Sequence, residues 1–197
     1  MTGDAAFVGA FFRVIARDGW RRTTMAAAAQ EAGLSLTEAR GRFATSAAVL
    51  RRFGQLADQA ALEGAVTDGP ARDRLFDLLM RRFDALQAQR DGVLALLRAM
   101  PSDPATALVL ACSTRNSMRW MLQAAGVPAT GIFGELRING LIAVWLWAAR
   151  AWERDGSDDL TGTMAALDVA LLRAEQAASW LNGSSPAPKT APENAET

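Results

Sequence analysis

Five polar side chains in the first quarter of the chain, Thr24, Ser35, Thr37, Arg40 and Arg42, have the types and spacing to hold a nucleic acid. Arginine donates to phosphate oxygens or to O6 and N7 of guanine, and short hydroxyl side chains reach phosphate. Glu38 stands among them and admits two readings. Ser35-Leu36-Thr37-Glu38 fits the capping box S-x-x-E, whose carboxylate folds back onto the start of a helix. Outside that role, the carboxylate would repel phosphate and could accept only from a cytosine amino group. Up to Arg52 there are eight arginines against Asp4, Asp18, Glu31 and Glu38, in a chain whose 21 basic and 21 acidic residues balance overall. A basic end on a neutral protein is the electrostatic footprint of phosphate binding; an ordinary solvated arginine face is the alternative.

Other chemistries lack their groups. The 197 residues include no histidine and no tyrosine, which removes Ser-His-Asp triads, Cys-His pairs and His-containing zinc sites. Neither a GxxxxGK[ST] nor a GxGxxG phosphate loop is present, and no pair of carboxylates is singled out by spacing. An enzyme is therefore not expected, and no cofactor is called for. Cys112 is the single cysteine, so no intrachain disulfide can form and a reducing cytoplasm suits the chain. The N-terminus lacks the basic-then-apolar pattern of a signal peptide. The strongly apolar run Leu141 to Ala149 is about half of the roughly 20 residues that span a bilayer, so a cytoplasmic protein without a transmembrane segment is expected.

The elements that must position the five polar residues are helical. Phe7, Ala10, Phe11, Val14 and Ile15 form an i, i+3, i+4, i+7, i+8 stripe on a first helix ending at Gly19. Thr23 or Thr24 can cap a short helix over Met25 to Ala32. Gly33 can take the positive φ that ends it, and Ser35 can cap a second. Two short helices joined by a tight Gly-containing turn outline a helix-turn-helix. Helical periods follow from Thr45 or Ser46 to about Ala65, then from Pro70, over Val93 to Leu97, from Asp103-Pro104 to about Ala125, over Glu135 to Arg154, and over Asp158 to Leu181. The spacing predicts an all-α fold of about nine helices, with a helix-turn-helix module in residues 1–46 and a helical bundle in 47–181. Residues 182–197, rich in proline and small polar groups, read as a disordered tail.

Gly19-Trp20, Thr23-Thr24, Ala28-Ala29, Ala32-Gly33-Leu34-Ser35 and Phe43 fall in the order and spacing of the TetR family of bacterial transcriptional regulators, which this sequence resembles. The resemblance implies a homodimeric, DNA-binding repressor with a small-molecule site in the larger domain. The departures lie on the contact surface. Leu36 stands where the family usually has Lys, Glu38 falls within the recognition helix, Gly41 interrupts it, and Ser46 replaces a Lys. A second, patchier resemblance, carried by Arg72 to Pro101 and Trp152 to Asp168, is to TetR-fold ubiquinone-biosynthesis accessory proteins. It implies a lipid ligand and a decayed DNA module.

In the larger domain, Leu79, Phe83, Met118, Trp120, Met121 and Trp145 are the candidates for an apolar pocket between helices, with core packing as the alternative. Arg115, Asn116, Arg119, Gln123 and Asn139 are the polar groups that could orient a ligand, so a hydrophobic small molecule or lipid is the expected partner. The last two helices are apolar on more than one side, which calls for burial against a twofold mate. Leu146, Leu160, Met164, Leu167 and Leu171 are assigned to that dimer interface.

Overall fold

The computed structural model describes residues 2–157 and 159–181. Its described residues form nine α-helices and no strand: α1 (Thr2–Asp18), α2 (Met25–Glu31), α3 (Leu36–Arg42), α4 (Ser46–Leu62), α5 (Ala71–Gln87), α6 (Arg90–Ala99), α7 (Pro104–Ala124), α8 (Gly131–Arg154) and α9 (Thr161–Leu181). The expected all-α architecture is the observed one. The tail expected over 182–197 lies outside the described residues.

Local chemistry sets the boundaries of the first third. α1 stops at Gly19, whose φ of 80° favours glycine. Thr24 caps α2 by accepting from the Ala27 N–H at 3.1 Å, and Gly33 turns the chain with φ 67°. Thr45 caps α4 in the same way, accepting from the Ala48 N–H at 3.2 Å. Two later boundaries differ from the sequence reading. α8 begins at Gly131, ahead of Glu135, because Gly134 is buried in its first turn against the Ala129 backbone, where no Cβ would fit. α9 begins at Thr161, behind Asp158, because Leu160 takes a left-handed φ of 53° and the Asp155 carboxylate fastens the turn. Asp155 accepts from the Ser157 hydroxyl, from the Thr163 N–H at 2.7 Å and from the Thr163 hydroxyl at 2.8 Å. These donors, Ser157 first, hold its carboxyl well below the ordinary carboxylate range. α8 is also longer and more apolar than the run Leu141 to Ala149 suggests. By length and composition alone α8 meets the requirements of a membrane-crossing helix, and 33% of its most apolar stretch is buried inside the chain.

α1 carries the architecture because it is buried on two sides. Phe7, Phe11 and Ile15 face the small module, where Phe7 stacks on Phe43 with ring centroids 5.2 Å apart and Phe11 meets Trp20 edge-on at 6.2 Å. Phe12, also buried, points toward the larger domain and meets the Phe53 ring at 4.0 Å. α6 crosses α1 so closely that a Cβ on the buried Gly92 would collide with the Phe12 carbonyl oxygen. The small module and the bundle therefore share one core.

Two glycine substitutions test this packing with opposite signs. Gly92→Ala must push α6 away from α1 and is expected to lower stability by about 1–3 kcal/mol, the range for overpacking a tight core. Gly41→Ala meets nothing within 4 Å in α3 and is expected to raise stability by up to about 1 kcal/mol through helix propensity. Urea denaturation midpoints of the two variants and the parent check both signs.

Candidate nucleic-acid interface and ligand cleft

The helix-turn-helix presents α3 to solvent, with Leu36, Thr37, Glu38, Arg40, Gly41 and Arg42 exposed and Ala39 alone buried beneath them. The capping box forms in full. The Ser35 N–H donates to Glu38 Oε2 at 2.9 Å, the Ser35 hydroxyl donates to the same oxygen at 2.7 Å, and the Glu38 N–H donates to Ser35 Oγ at 3.2 Å. Donation from Ser35 holds the Glu38 carboxyl below its ordinary value. Glu38 is thus bound back to its own helix start, and the Ser35 hydroxyl is engaged with it.

The remaining candidates differ in availability. Thr24 and Thr37 are exposed, and the Thr24 hydroxyl oxygen is committed only as an acceptor. Arg40 donates from one terminal nitrogen to the Ala44 carbonyl at 2.9 Å, leaving its other donors to solvent. The Arg42 guanidinium folds onto the start of α1, filling the space over Gly3 that a Cβ would need. Of the other arginines near the module, Arg13 and Arg17 pair with Glu31 at 3.1 and 3.0 Å, and Arg52 pairs with Asp4 at 3.3 Å. The surplus positive charge is therefore concentrated at Arg21, Arg22, Arg40, Arg42 and Arg51, which make no ion pair among the described residues.

A second bond fixes the module on the bundle. The Trp20 indole N–H donates to Asp103 Oδ2 at 2.8 Å, and the same carboxylate caps α7 through the Thr106 N–H at 3.0 Å and hydroxyl at 2.8 Å. Trp20 is the first cause, and Thr106 the second, of an Asp103 carboxyl held below its ordinary value. One carboxylate thereby joins the turn after α1 to the start of α7.

Beside this joint, α1, α4, α5, α6, α7 and α8 enclose a cleft of about 680 Å³. That volume lies within the roughly 300–1,000 Å³ of small-molecule sites. Phe12, Phe53, Phe83, Leu86, Leu96, Trp145 and Trp152 line it, and Cys112, Leu146 and Arg150 stand at its open side. Of the six residues expected to form a pocket, Phe83 and Trp145 line this cleft. Leu79, Met118 and Met121 are fully buried in the core instead, and Trp120 is 53% exposed on the outer side of α7. Of the expected polar groups, Arg115 reaches the cleft, held by Glu135 and by Asn139 Oδ1 at 2.8 Å. Arg119 pairs with Glu135 at 3.3 Å, while Asn116 and Gln123 face solvent.

The principal polar group of the cleft was not among the expected ones. Arg82, 5% exposed, donates from Nε to Asp58 Oδ1 at 2.9 Å and from Nη2 to Ser117 Oγ at 3.4 Å. Ser117 in turn donates to Asp58 Oδ2 at 2.7 Å. The Arg82 guanidinium lies over the Trp145 ring, 4.4 Å from its centroid, and Trp145 stacks on Phe83 at 4.2 Å. The signal in the sequence is that Arg82 occupies a core position of the stripe Leu75, Leu78, Leu79, Phe83, Leu86, as Asp58 does between Gly54, Ala57 and Ala61. Among the described residues, no three His, Cys, Asp or Glu side chains gather into a metal site.

The expected dimer face is redistributed by burial. Leu160, Leu167 and Leu171 are at most 4% exposed inside the chain and Met164 is half-buried, so they serve the chain's own core. Leu146 stands at the cleft. The apolar surface left open on these helices comprises Ile132, Phe133, Leu136, Leu146 and Trp147 on α8 with Val169 and Leu172 on α9.

The buried pair is tested by how its removal scales. Arg82→Met leaves a buried carboxylate with only Ser117 and is expected to destabilise the fold by about 3–5 kcal/mol. Asp58→Leu/Arg82→Met together removes both charges and is expected to recover most of that loss, as thermal and urea unfolding of the two variants would register.

No protein-family profile matches the sequence, and no curated protein is significantly similar to it. Solved structures do match in fold. A TetR transcriptional regulator from Nitrosomonas europaea superposes with a TM-score of 0.73 at 20% identity, over 89% of this chain and 99% of that one. A TetR-family transcriptional regulator from Streptomyces coelicolor gives 0.64 at 19% identity, over 93% and 86%. A TetR transcriptional regulator from Rhodococcus gives 0.60 at 14% identity, over 87% and 94%. None of the three is described as a ubiquinone-biosynthesis protein. The chain has the fold of the TetR-type regulators, helix-turn-helix and helical bundle alike.

Proposed function

We propose that the protein is a homodimeric TetR-type transcriptional regulator, a repressor released from DNA when an apolar small molecule occupies the cleft. The observation that carries this reading is the double duty of α1. Phe12 lines the cleft, while Phe7 and Phe11 on the other side of the same helix support α2, α3 and Phe43. A ligand that displaces Phe12 must move α1 or work against the Gly92 contact, and either shifts the recognition helix. Such a ligand acts allosterically only to the extent that it prefers one position of α1 over the other.

On DNA, α3 would enter the major groove, with Arg40 on a base edge or phosphate, Thr24 and Thr37 on the backbone and Arg42 moving off Gly3 to join them. Leu36, 58% exposed at the first turn of α3, would face thymine methyls rather than phosphate. The two-helix face of Leu136, Trp147, Val169 and Leu172 would pack on its copy across a twofold axis, placing two modules on one side of the dimer.

The protein is expected to retard the DNA flanking its own coding sequence, with affinity falling steeply as salt is raised from about 50 to 200 mM by counterion release. Arg40→Ala should weaken that binding and reduce the salt slope by about one. Absence of binding at the low salt removes the regulator reading, and a bound lipid in the purified protein would then favour an accessory protein of the same fold. Sedimentation should give two chains per particle, and Val169→Asp/Leu172→Asp should give one; an unchanged mass in that variant rejects this face as the interface.

A further inference from the structure

We infer that the cleft receives a neutral, largely apolar ligand bearing one carbonyl-type hydrogen-bond acceptor, and that Arg82 Nη1 is the group that reads it. The inference rests on the cleft being the ligand site and concerns what distinguishes one ligand from another there. Arg82 carries five N–H donors in a fixed planar fork. Its Nε is used by Asp58 and its Nη2 by Ser117, whereas Nη1 has no partner among the described residues. Nη1 is also absent from the side-chain atoms that are sealed from solvent without a partner. Its donors are therefore reached from the cleft that Arg82 lines, on a residue that is only 5% exposed. A ligand that excludes water from this wall must supply an acceptor to Nη1, because a charged donor left buried and unpaired is costly.

Charge decides which acceptor. Asp58 already balances Arg82, and Ser117 occupies the second carboxylate oxygen. A carboxylate ligand would bring an uncompensated charge into this apolar enclosure, whereas a ketone, amide or quinone-type oxygen would not. The other cations cannot easily supply the balance, since Arg115 is held by Glu135 and Arg150 is exposed at the mouth. Shape follows from Trp145, which the guanidinium covers on one face and Phe83 stacks upon. With Trp145 so covered, Phe12, Phe53 and Trp152 complete the aromatic lining, which suits a flat ring system bearing the acceptor at its inner end.

The test uses the full chain and three probes of one shape: 2-acetylnaphthalene, 2-isopropylnaphthalene and 2-naphthoate, titrated by calorimetry. Without a donor in the cleft the hydrocarbon would bind tightest, because the ketone loses its hydration on entry. The expected result is the reverse: the ketone binds roughly tenfold tighter than the hydrocarbon, the scale of a hydrogen bond to a charged donor, and the carboxylate binds weakest. In Asp58→Leu/Arg82→Met, folded by circular dichroism, the ketone should lose its preference over the hydrocarbon. Equal or stronger binding of the hydrocarbon to the parent protein overturns the inference and leaves the cleft reading intact. Tightest binding of the carboxylate also overturns it, and binding of no probe overturns inference and cleft reading together.

Discussion

The contact between α1 and α6 is the constraint on which the rest of the structure depends. Gly92 lets the α6 backbone rest against the Phe12 carbonyl, and no larger residue would permit that approach. Once α6 is seated there, α1 is buried on both sides, and the small helix-turn-helix ceases to be an appendage. It becomes one face of a common core. Such a module has few apolar residues of its own, and burial against a larger neighbour supplies what so small a unit cannot. The Trp20–Asp103 bond adds direction to this burial: a single carboxylate fixes the turn after α1 and the first turn of α7 together.

The cleft is bounded by the same helices. Because Phe12 belongs both to its wall and to the helix that carries the module, the geometry offers a short mechanical route between the two surfaces. Packed cores shift between discrete arrangements more readily than they deform continuously. The buried Asp58–Arg82–Ser117 network adds a second constraint on that route, since it ties α4, α5 and α7 at the cleft's inner wall. α4 leads directly from the helix-turn-helix, so movement of α3 and rearrangement of the network draw on one connected set of helices.

The contact surface of α3 explains why phosphate chemistry was hard to read from residue types alone. Ser35 and Glu38 are polar, exposed and centrally placed, yet they satisfy each other and the helix start. Arg13, Arg17 and Arg52 contribute to the basic count of the first 52 residues but are paired within the fold. Arg40 and Arg42 remain exposed on α3 without an ion pair among the described residues. A count of charges thus measures a potential supply, while the surface that a polyanion would meet is set by which of those charges the fold has already used.

What the sequence determined by itself was local. Thr24, Ser35 and Thr45 cap helices because each oxygen lies within reach of an N–H three residues ahead, and Gly19 and Gly33 permit positive φ where helices end. These relations span a few residues and need no knowledge of distant partners. The apolar stripe of α1 was legible for the same reason. What tertiary structure decided was partnership across long separations. Leu79, Met118 and Met121 were apolar enough to line a pocket, but neighbouring helices closed over them. Leu160, Leu167 and Leu171 were apolar enough for an interface and went instead to the chain's own core. Arg82 and Asp58 lie 24 residues apart, and each looks misplaced in its own stripe. Together they form a neutral, buried pair, because only the fold brings opposite charges within hydrogen-bonding distance where water cannot compensate either one.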